Sequence, residues 1–250
     1  MVAGQGESML TIVMWKWKPE PGAKHEVKRS GFSAKHVNSL ASGIARHTTM
    51  PLRYVCVTDD PKGIKPGIQT IDINTEFSEF SELGGCYRRL GAFDRDKSRR
   101  LFGDRFICID LDCVVVGPLN HLLNKAFNQD FVIWKDTYRR RAPYCGALWG
   151  MEAGTRQHVL ATFRTSPQEI ITAAREAGYI GTDQAVFNYL LGRNECTWGV
   201  DDGVLNFNTR VRPAGGKLPE DARLVFFNGK YDPAQPQLLA RYSWIKEGWG

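Results

Sequence analysis

Two aspartates follow the most apolar segment of this sequence. The run 106–109 leads directly into Asp110 and Asp112, which flank Leu111. An unpaired charge is costly in an apolar core, so both aspartates must lie where the strand ends. Side chains two residues apart in an extended strand project to one side, which predicts that the two carboxylates face together. Neighbouring carboxylates repel, and a hard divalent cation such as Mg²⁺ or Mn²⁺ relieves that repulsion.

A simple turn is the alternative interpretation, because aspartate is common in turns. Apolar residues 113–116 follow the pair, so the carboxylates are enclosed on both sides, which favours the metal role. Such a cation keeps coordination positions that diphosphate oxygens can fill. Ligands of open α/β sheets bind beyond the carboxyl ends of strands, where this pair falls.

Length and composition describe an ordinary globular chain. It has 250 residues, of which 42% are hydrophobic and 24% charged, and this composition excludes collagen-like and disordered classes. We expect a single domain over 1–250, with a core at about 11–233 and a tail, 234–250, that wraps the surface or is partly loose. The net charge of +6 favours anionic ligands such as diphosphates without identifying one.

Cellular location is inferred from what the sequence lacks. No apolar run approaches the roughly 20 residues of a membrane helix, so no transmembrane segment is predicted. The N-terminus lacks the basic flank of a secretory signal, so the expected location is cytoplasmic. The six cysteines are dispersed without a CxxC spacing, so reduced thiols are expected.

Hydrophobic periodicity predicts alternating strands and helices, and hence an α/β fold with an open, mostly parallel sheet flanked by helices. Ser33 is placed to cap the first helix. The predicted strands are 11–17, 53–57, 67–73, 105–111, 131–134, 147–151 and 223–227, and the predicted helices are 33–47, 87–93, 167–177 and 184–191.

The string FICIDLDCVVVGPL resembles the Asp-x-Asp region of GT-A-fold glycosyltransferases, particularly glycosyltransferase family 8 and related small bacterial and phage enzymes. Upstream, YRRL at 87–90 is similar to the family's Tyr-x-Arg-Leu helix, whose arginine lies against the donor sugar nucleotide. The resemblance therefore implies a catalytic role for Arg89, although Arg88 is an alternative and an arginine on a helix is more often solvated. It also implies a Rossmann-like nucleotide-binding topology.

Two further strings agree in order with that family. The segment 181–184 (GTDQ), followed by Asn188, resembles the motif that opens a helix beside the transferred sugar. It implies that Asp183 orients sugar hydroxyls and that Gln184 lies near the reacting face, while Asp183 also suits a helix cap. The segment 226–230 (FFNGK) resembles the final strand and loop, and implies that Lys230 binds the diphosphate. A turn with a surface lysine is the simpler alternative there.

The sequence also departs from the family's pattern. Where the family has a metal-binding histidine before the glycine, this chain has Phe226 and Phe227, which cannot coordinate a metal, and Asn228. Asn228 is thus the candidate third ligand beside the aspartates, and a weaker one than a charged group. Cys145 stands where an amide is expected, which predicts altered sugar recognition.

Further candidates follow from the same resemblance. Trp15 and Lys16 on the first strand would lie beneath the nucleobase, although such aromatics are more often core. Asp136 resembles a family carboxylate near the sugars, and the basic cluster 139–141 could receive an anionic acceptor or simply be solvated.

The function that the resemblance implies is transfer of a hexose from a nucleoside diphosphate sugar, with a Mn²⁺ or Mg²⁺ cofactor and retention at the anomeric carbon. The acceptor would be a glycan, a lipid or a small molecule. No nucleic-acid partner is expected, because acidic residues interrupt the arginine-rich stretches and no binding module is recognisable.

Two other classes remain open. Residues 110–114 also fit the Asp-x-Asp-x-Val signature of haloacid dehalogenase-like phosphatases, in which Asp110 would attack phosphorus and Asp112 would handle protons. That class needs a later acidic pair, for which Asp201 and Asp202 are the candidates. A nucleotide-sugar-binding protein without turnover is the third possibility, because Phe226 and Cys145 replace polar residues.

Overall fold

The computed structural model describes residues 9–18, 31–135 and 142–250, where strands and helices alternate. The strands are β1 (Leu10–Lys16), β2 (Leu52–Thr58), β3 (Ile68–Asp72), β4 (Arg105–Ile109), β5 (Cys113–Val115), β6 (Phe131–Lys135), β7 (Tyr144–Glu152), β8 (Cys196–Trp198), β9 (Val204–Asn206) and β10 (Leu224–Phe226). The α-helices are α1 (Ala34–Arg46), α2 (Ile73–Glu76), α3 (Arg95–Phe102), α4 (Asn120–Asn128), α5 (Gln157–Thr165), α6 (Pro167–Glu176), α7 (Asp183–Leu190), α8 (Pro236–Arg241) and α9 (Ser243–Trp249).

The main sheet has seven strands in the order β3-β2-β1-β4-β7-β6-β8. β1 pairs in parallel with β2 and β4, and the β2–β3 and β6–β8 pairs are also parallel. Only β7 runs antiparallel to its neighbours in this sheet. The predicted α/β class with an open, mostly parallel sheet is confirmed.

Alternation along β1 explains why the sheet is buried on both faces. Val13 and Trp15 belong to one apolar cluster, whereas Ile12 and Met14 belong to another. Successive strand residues point to opposite faces, so a strand that is apolar throughout must be covered on both sides. The carboxyl ends of β1 and β4 are adjacent in this arrangement, which positions the Asp-x-Asp segment at the middle of one sheet edge.

A second sheet of three strands, β5-β10-β9, carries the C-terminal part of the candidate site. β10 pairs with β5 antiparallel and with β9 parallel. Behind it lies a third apolar cluster that includes Tyr242, Ile245 and Trp249. The tail after residue 234 is therefore two packed helices, α8 and α9. Of the two alternatives expected for the tail, the packing agrees with a tail that wraps the surface, because these widely spaced apolar residues all bury against one small sheet.

Two predicted elements differ from those observed. The segment Tyr87–Phe93 is a 3-10 helix whose residues are all buried, and β7 begins at Tyr144, earlier than predicted. The other predicted strands and helices match within a few residues, whereas helices α3, α4 and α5 and the short strands β5, β8 and β9 were not predicted. All six cysteines are free thiols, and five are buried. Among the described residues, no helix has the length and apolar character needed to cross a bilayer.

Substitution of Gly203 tests how tightly the small sheet is packed. It has φ of 75°, and a Cβ there would collide with the carbonyl oxygen of Asp221. Its own carbonyl accepts from the backbone N–H of Arg223 at 2.9 Å and of Leu224 at 3.1 Å, so the collision cannot relax without disturbing β10. We expect Gly203→Ala to lower the free energy of unfolding by about 2 kcal/mol or more in urea titrations.

The matched control is Gly199→Ala. Gly199 has φ of −137°, and no atom lies within 4 Å of a Cβ placed there. Its substitution should leave the unfolding midpoint close to that of the parent. Equal stability of both variants would show that the contact at Gly203 is not a constraint.

Candidate active site

A cleft opens at the carboxyl ends of β1 and β4. Its lining combines aromatic and charged side chains, namely Trp15, Trp17, Phe32, Arg89, Asp110 and Leu111. Trp15 is buried, its Nε1 donates to Cys108 Sγ at 3.4 Å, and its ring packs edge-on against Phe77 at 4.9 Å between centroids. Trp15 is therefore a core residue that also forms part of the cleft wall.

Asp110 and Asp112 lie where the chain passes from the main sheet to the small one. β4 ends at Ile109, the N–H of Asp110 still donates to the carbonyl of Ala147 at 2.8 Å, and the chain then bends before β5. The carbonyl of Asp112 accepts from the N–H of Phe227 at 2.7 Å, which joins the bend to the end of β10. The strand alternation used above thus stops at Ile109.

The two carboxylates have different surroundings. Asp112 is buried, whereas the Asp110 side chain retains 31% exposure and faces the cleft. Burial, together with the charges of Asp112 and Asp110, raises the pKa of the Cys113 thiol well above its usual value. This thiol directly follows Asp112 and is buried beside the bend.

Arg89 connects the segments that the sequence singled out. Its Nη1 donates to Asp110 Oδ1 at 2.7 Å, its Nε lies 3.1 Å from Asp183 Oδ2, and its Nη2 donates to the carbonyl of Gly146. The side chain is only 5% exposed. Burial alone would lower the pKa of the guanidinium, but the charges of Asp183 and Asp110 outweigh it and raise that pKa, so Arg89 is always a cation.

The neighbouring Arg88 has a structural role. Its Nε donates to the carbonyl of Phe77 at 2.7 Å, and its Nη2 donates to the carbonyl of Ile73 and to Asn74 Oδ1. Consecutive residues of a tight helix point in different directions, so only one of the two arginines faces the cleft. The structure assigns that place to Arg89.

The first turn of α7 meets β7 beside Arg89. Asp183 is buried, and its Oδ1 accepts from the N–H of Gln184 at 2.9 Å. Gln184 Oε1 accepts from the N–H of Gly146 at 3.1 Å. A Cβ on Gly146 would approach Phe187 to 3.2 Å, so glycine permits this close contact of helix and strand. Thr182, not Asp183, is the helix N-cap.

Asn188, which follows the GTDQ segment, also holds α7 against β7. Its Oδ1 accepts from the N–H of Tyr144 at 2.8 Å, and its Nδ2 donates to the carbonyl of Tyr144 at 2.9 Å. A buried amide that satisfies both backbone groups of one residue holds the start of β7 in register against α7. Asn188 is thus a structural residue of the site.

Asn228 belongs to a cluster of amides beside the bend. Its Oδ1 accepts from Asn206 Nδ2 at 3.1 Å, and its backbone carbonyl accepts from Asn208 Nδ2. Its Nδ2 lies 3.8 Å from Cys145 Sγ. Cys145 is buried on β7, directly before Gly146, so it lies next to the Arg89 network.

The two predicted lysines have contrasting environments. Lys16 is buried at the carboxyl end of β1, in register with Thr58 of β2. Lys230 is exposed on the loop after β10, with its Nζ 5.2 Å from the centre of the Tyr231 ring. The structure places Lys16 at the strand end predicted to lie beneath the nucleobase, and Lys230 on the predicted loop.

Other predicted residues lie elsewhere. Asp136 and the cluster 139–141 fall outside the described residues. Asp202 is engaged by Lys125 at 2.9 Å and by His121 at 3.2 Å, next to β8 at the sheet edge. β8 lies three strands from β4, about 14 Å at the usual strand spacing. The acidic pair of a phosphatase site is therefore not assembled beside Asp110.

Sequence reasoning missed the backbone of Gly146, the amide of Asn206 and the ring of Phe32. A glycine inside an apolar strand is a signal of close approach, and it was available at Gly146. The sequence around Asn206 gives no signal of its role, because its contact with Asn228 joins the end of β9 to the loop after β10.

Searches with the sequence found no matching family model and no matching curated protein. Comparison of the structures does find proteins of similar fold. A galactosyltransferase, LgtC, solved with donor and acceptor sugar analogs, aligns with a TM-score of 0.61 at 12% identity over 96% of this chain and 95% of that one. The chain has the GT-A fold.

Two other GT-A structures align over nearly all of this chain. The glycosyltransferase GlyE of Streptococcus pneumoniae TIGR4 gives a TM-score of 0.58 at 11% identity, over 96% of this chain and 61% of that chain. The bifunctional glycosyltransferase WbbM gives a TM-score of 0.57 at 12% identity, over 100% of this chain and 51% of that chain. The chain thus spans only part of these two proteins. At identities this low, the structural similarity establishes the fold alone.

Replacing Arg89 tests the buried network. Arg89→Met leaves Asp183 and Asp110 without their shared cation, and breaking a buried ion pair in this way costs about 3–5 kcal/mol. We expect thermal denaturation to show a large loss of stability, and partial recovery in the double variant Arg89→Met with Asp183→Asn, which removes one uncompensated charge.

Arg99→Met is the control, because Arg99 pairs with Asp104 at 2.6 Å on the surface, with both side chains more than half exposed. Exposed pairs contribute little, so its melting temperature should stay near the parent's. An Arg89 variant as stable as the Arg99 variant would contradict the network's structural importance.

Proposed function

We propose that this chain is a glycosyltransferase that transfers a hexose from a nucleoside diphosphate sugar. The observation that carries the proposal is that Arg89 joins Asp110 to Asp183 at the wall of one cleft. Ligands of open α/β sheets bind at this edge. The cleft offers aromatic surface at Trp17 and Phe32 for a base, and charged groups for a diphosphate and a sugar.

The donor atoms around the bend suit a hard divalent cation. Asp110 and Asp112 supply carboxylate oxygens, and Asn228 is the candidate amide ligand. Among the described residues, no three His, Cys, Asp or Glu side chains form a complete metal cage. Mg²⁺ and Mn²⁺ sites commonly use one or two carboxylates and leave the remaining positions to water and phosphate oxygens. Bound there, the cation would supply charge stabilisation for the departing diphosphate.

The chain's own residues divide the remaining tasks. Arg89 neutralises Asp183 and holds it at the start of α7, where it orients sugar hydroxyls. Gln184 is held by the Gly146 N–H and lies beside the transferred sugar. Lys230, on its exposed loop, binds the diphosphate of the donor. Fixed charges of this kind need no reorganisation during the reaction.

We propose that transfer retains the anomeric configuration. Asp183 shares Arg89 with Asp110, and a carboxylate held in an ion pair is a poor nucleophile. The acceptor hydroxyl would instead attack from the side of the departing diphosphate, whose oxygen takes up the acceptor's proton. The acceptor is a glycan, a lipid or a small molecule, and the anomeric ¹H NMR signal of the first product tests the stereochemistry.

A panel of nucleotide sugars tests donor and cation binding together. We expect one or more donors to raise the melting temperature of the protein in the presence of Mn²⁺, and chelation of the Mn²⁺ to abolish the increase. Asp112→Asn removes one of the two charges that hold the cation, so its donor-dependent increase should be much smaller.

Asp96→Asn is the matched control, because Asp96 is an exposed residue in the first turn of α3. It should respond to donor and Mn²⁺ like the parent. Equal stabilisation of the parent and the Asp112 variant would refute the cation assignment, and release of phosphate from phosphorylated small molecules without sugar transfer would favour the phosphatase class.

A second experiment separates sugar orientation from nucleotide binding. Asp183→Asn keeps the shape of the side chain but removes the charge opposite Arg89. With the donor that the panel identifies, we expect kcat to fall by about 10²-fold, as for loss of one preorganised polar group, while the dissociation constant of the nucleoside diphosphate changes little. Asp201→Asn, at an exposed position, is the control. An unchanged kcat would remove Asp183 from the reaction.

A further inference from the structure

One buried histidine outside the network described above has a carboxylate partner far away in the sequence. His36, in the first turn of α1, is 6% exposed, and its Nε2 lies 3.3 Å from both carboxylate oxygens of Asp232. Asp232 belongs to the loop 228–235 after β10, which we call the Lys230 loop. The pair therefore joins α1 to the loop that carries the proposed diphosphate ligand.

The ring of His36 is held in a defined orientation. Its Nδ1 accepts from the backbone N–H of Ser33 at 3.1 Å, so Nε2 carries the proton and donates it to Asp232. Phe32 and Trp249 pack edge-on against the ring, with centroids at 5.2 and 5.0 Å. A hydrogen bond to a carboxylate is strong where the donor is largely excluded from water.

On its other side, the His36 ring is connected to the cleft through Phe32. Phe32 lines it together with Trp17, and Phe32 also packs on His36. A continuous set of contacts therefore runs from the aromatic wall through His36 to Asp232, two residues from Lys230. Within the loop, Gln235 Nε2 donates to the Lys230 carbonyl at 3.2 Å and Asp232 Oδ1 accepts from the N–H of Ala234 at 2.8 Å. Asn228 and Tyr231 connect the loop to the residues after β9, through Asn208 and the Phe207 ring. The contact between His36 and Asp232 connects it to α1.

We propose that His36 is a positioning residue for the donor site, which holds the Lys230 loop against the aromatic wall through its hydrogen bond to Asp232. The proposal rests on the proposed function in assigning the cleft to a nucleoside diphosphate sugar. His36 acts through Asp232 and takes no part in the chemistry. Its loss should therefore weaken donor binding and leave the chemical step almost unchanged.

Two substitutions distinguish the nitrogens of His36. His36→Asn keeps an acceptor near Nδ1 for Ser33 but is too short to reach Asp232, whereas His36→Gln extends an N–H donor towards the place of Nε2. We expect His36→Asn to speed amide hydrogen exchange of residues 228–235 by about tenfold or more in the nucleotide-free protein, the factor for loss of a hydrogen bond to a charged group. His36→Gln should preserve most of the protection.

Donor binding gives the second readout. With UDP and Mn²⁺ as the probe, His36→Asn should raise the dissociation constant several-fold, and with the donor from the panel it should raise KM while kcat stays within about twofold. Asp232→Ala removes the same bond from the loop side and should reproduce these effects. Circular dichroism and melting temperature confirm that each variant is folded.

His121→Asn is the control, because it breaks another histidine–aspartate contact, with Asp202 at 3.2 Å, whose histidine is 61% exposed and does not line the cleft. It should match the parent in exchange and binding. Unchanged exchange of residues 228–235 in His36→Asn would overturn the positioning role, and faster exchange with unchanged UDP affinity would overturn its connection to the donor. If the parent itself binds no nucleotide, the proposed function fails, while the exchange experiment still tests the contact between His36 and the loop.

Discussion

The candidate site depends on one buried cation between two carboxylates. Arg89 is excluded from water, and an unpaired guanidinium there would be strongly unfavourable, so Asp183 and Asp110 must stay within reach of it. These carboxylates belong to different elements, α7 and the end of β4. The requirement to neutralise Arg89 therefore fixes the position of the helix against the sheet edge, and with it the shape of the cleft.

The backbone of β7 completes this arrangement. Gly146 accepts from Arg89 and donates to Gln184, and Asn188 binds both backbone groups of Tyr144 two residues earlier. The backbone groups of Gly146 and Tyr144 thus have partners in this buried region, as burial requires. Arg89 Nε and Asp183 Oδ2 are paired as ions at 3.1 Å. The Arg89 side of the site is thus held by buried polar contacts, whereas Lys230 lies exposed on the other side.

The small sheet provides that second side. β5 leaves the Asp-x-Asp bend and pairs with β10, so the residues after β10 return to the cleft. The C-terminal helices cover the back of this sheet with Tyr242, Ile245 and Trp249. Their packing stabilises the strands that place Asn228 and Lys230, which explains why a segment with little visible periodicity matters to the site.

The sequence by itself determined the α/β class and most strand positions. It also singled out the segments around Asp110, Asp183 and Asn228 as candidates for the site. It could do so because strand alternation, caps and short motifs are local properties. The 3-10 conformation of Tyr87–Phe93 and the helical tail escaped it, because both depend on burial against distant residues.

Only the tertiary structure decided between Arg88 and Arg89. The two are adjacent and chemically identical, and their roles differ because one faces the carbonyls of Ile73 and Phe77 while the other faces two carboxylates from distant segments. The contacts of Asn206 with Asn228 and of His36 with Asp232 are similarly invisible in the sequence. Such contacts join residues far apart in the chain, and the packing of the two sheets and their helices, which no local pattern encodes, brings them together.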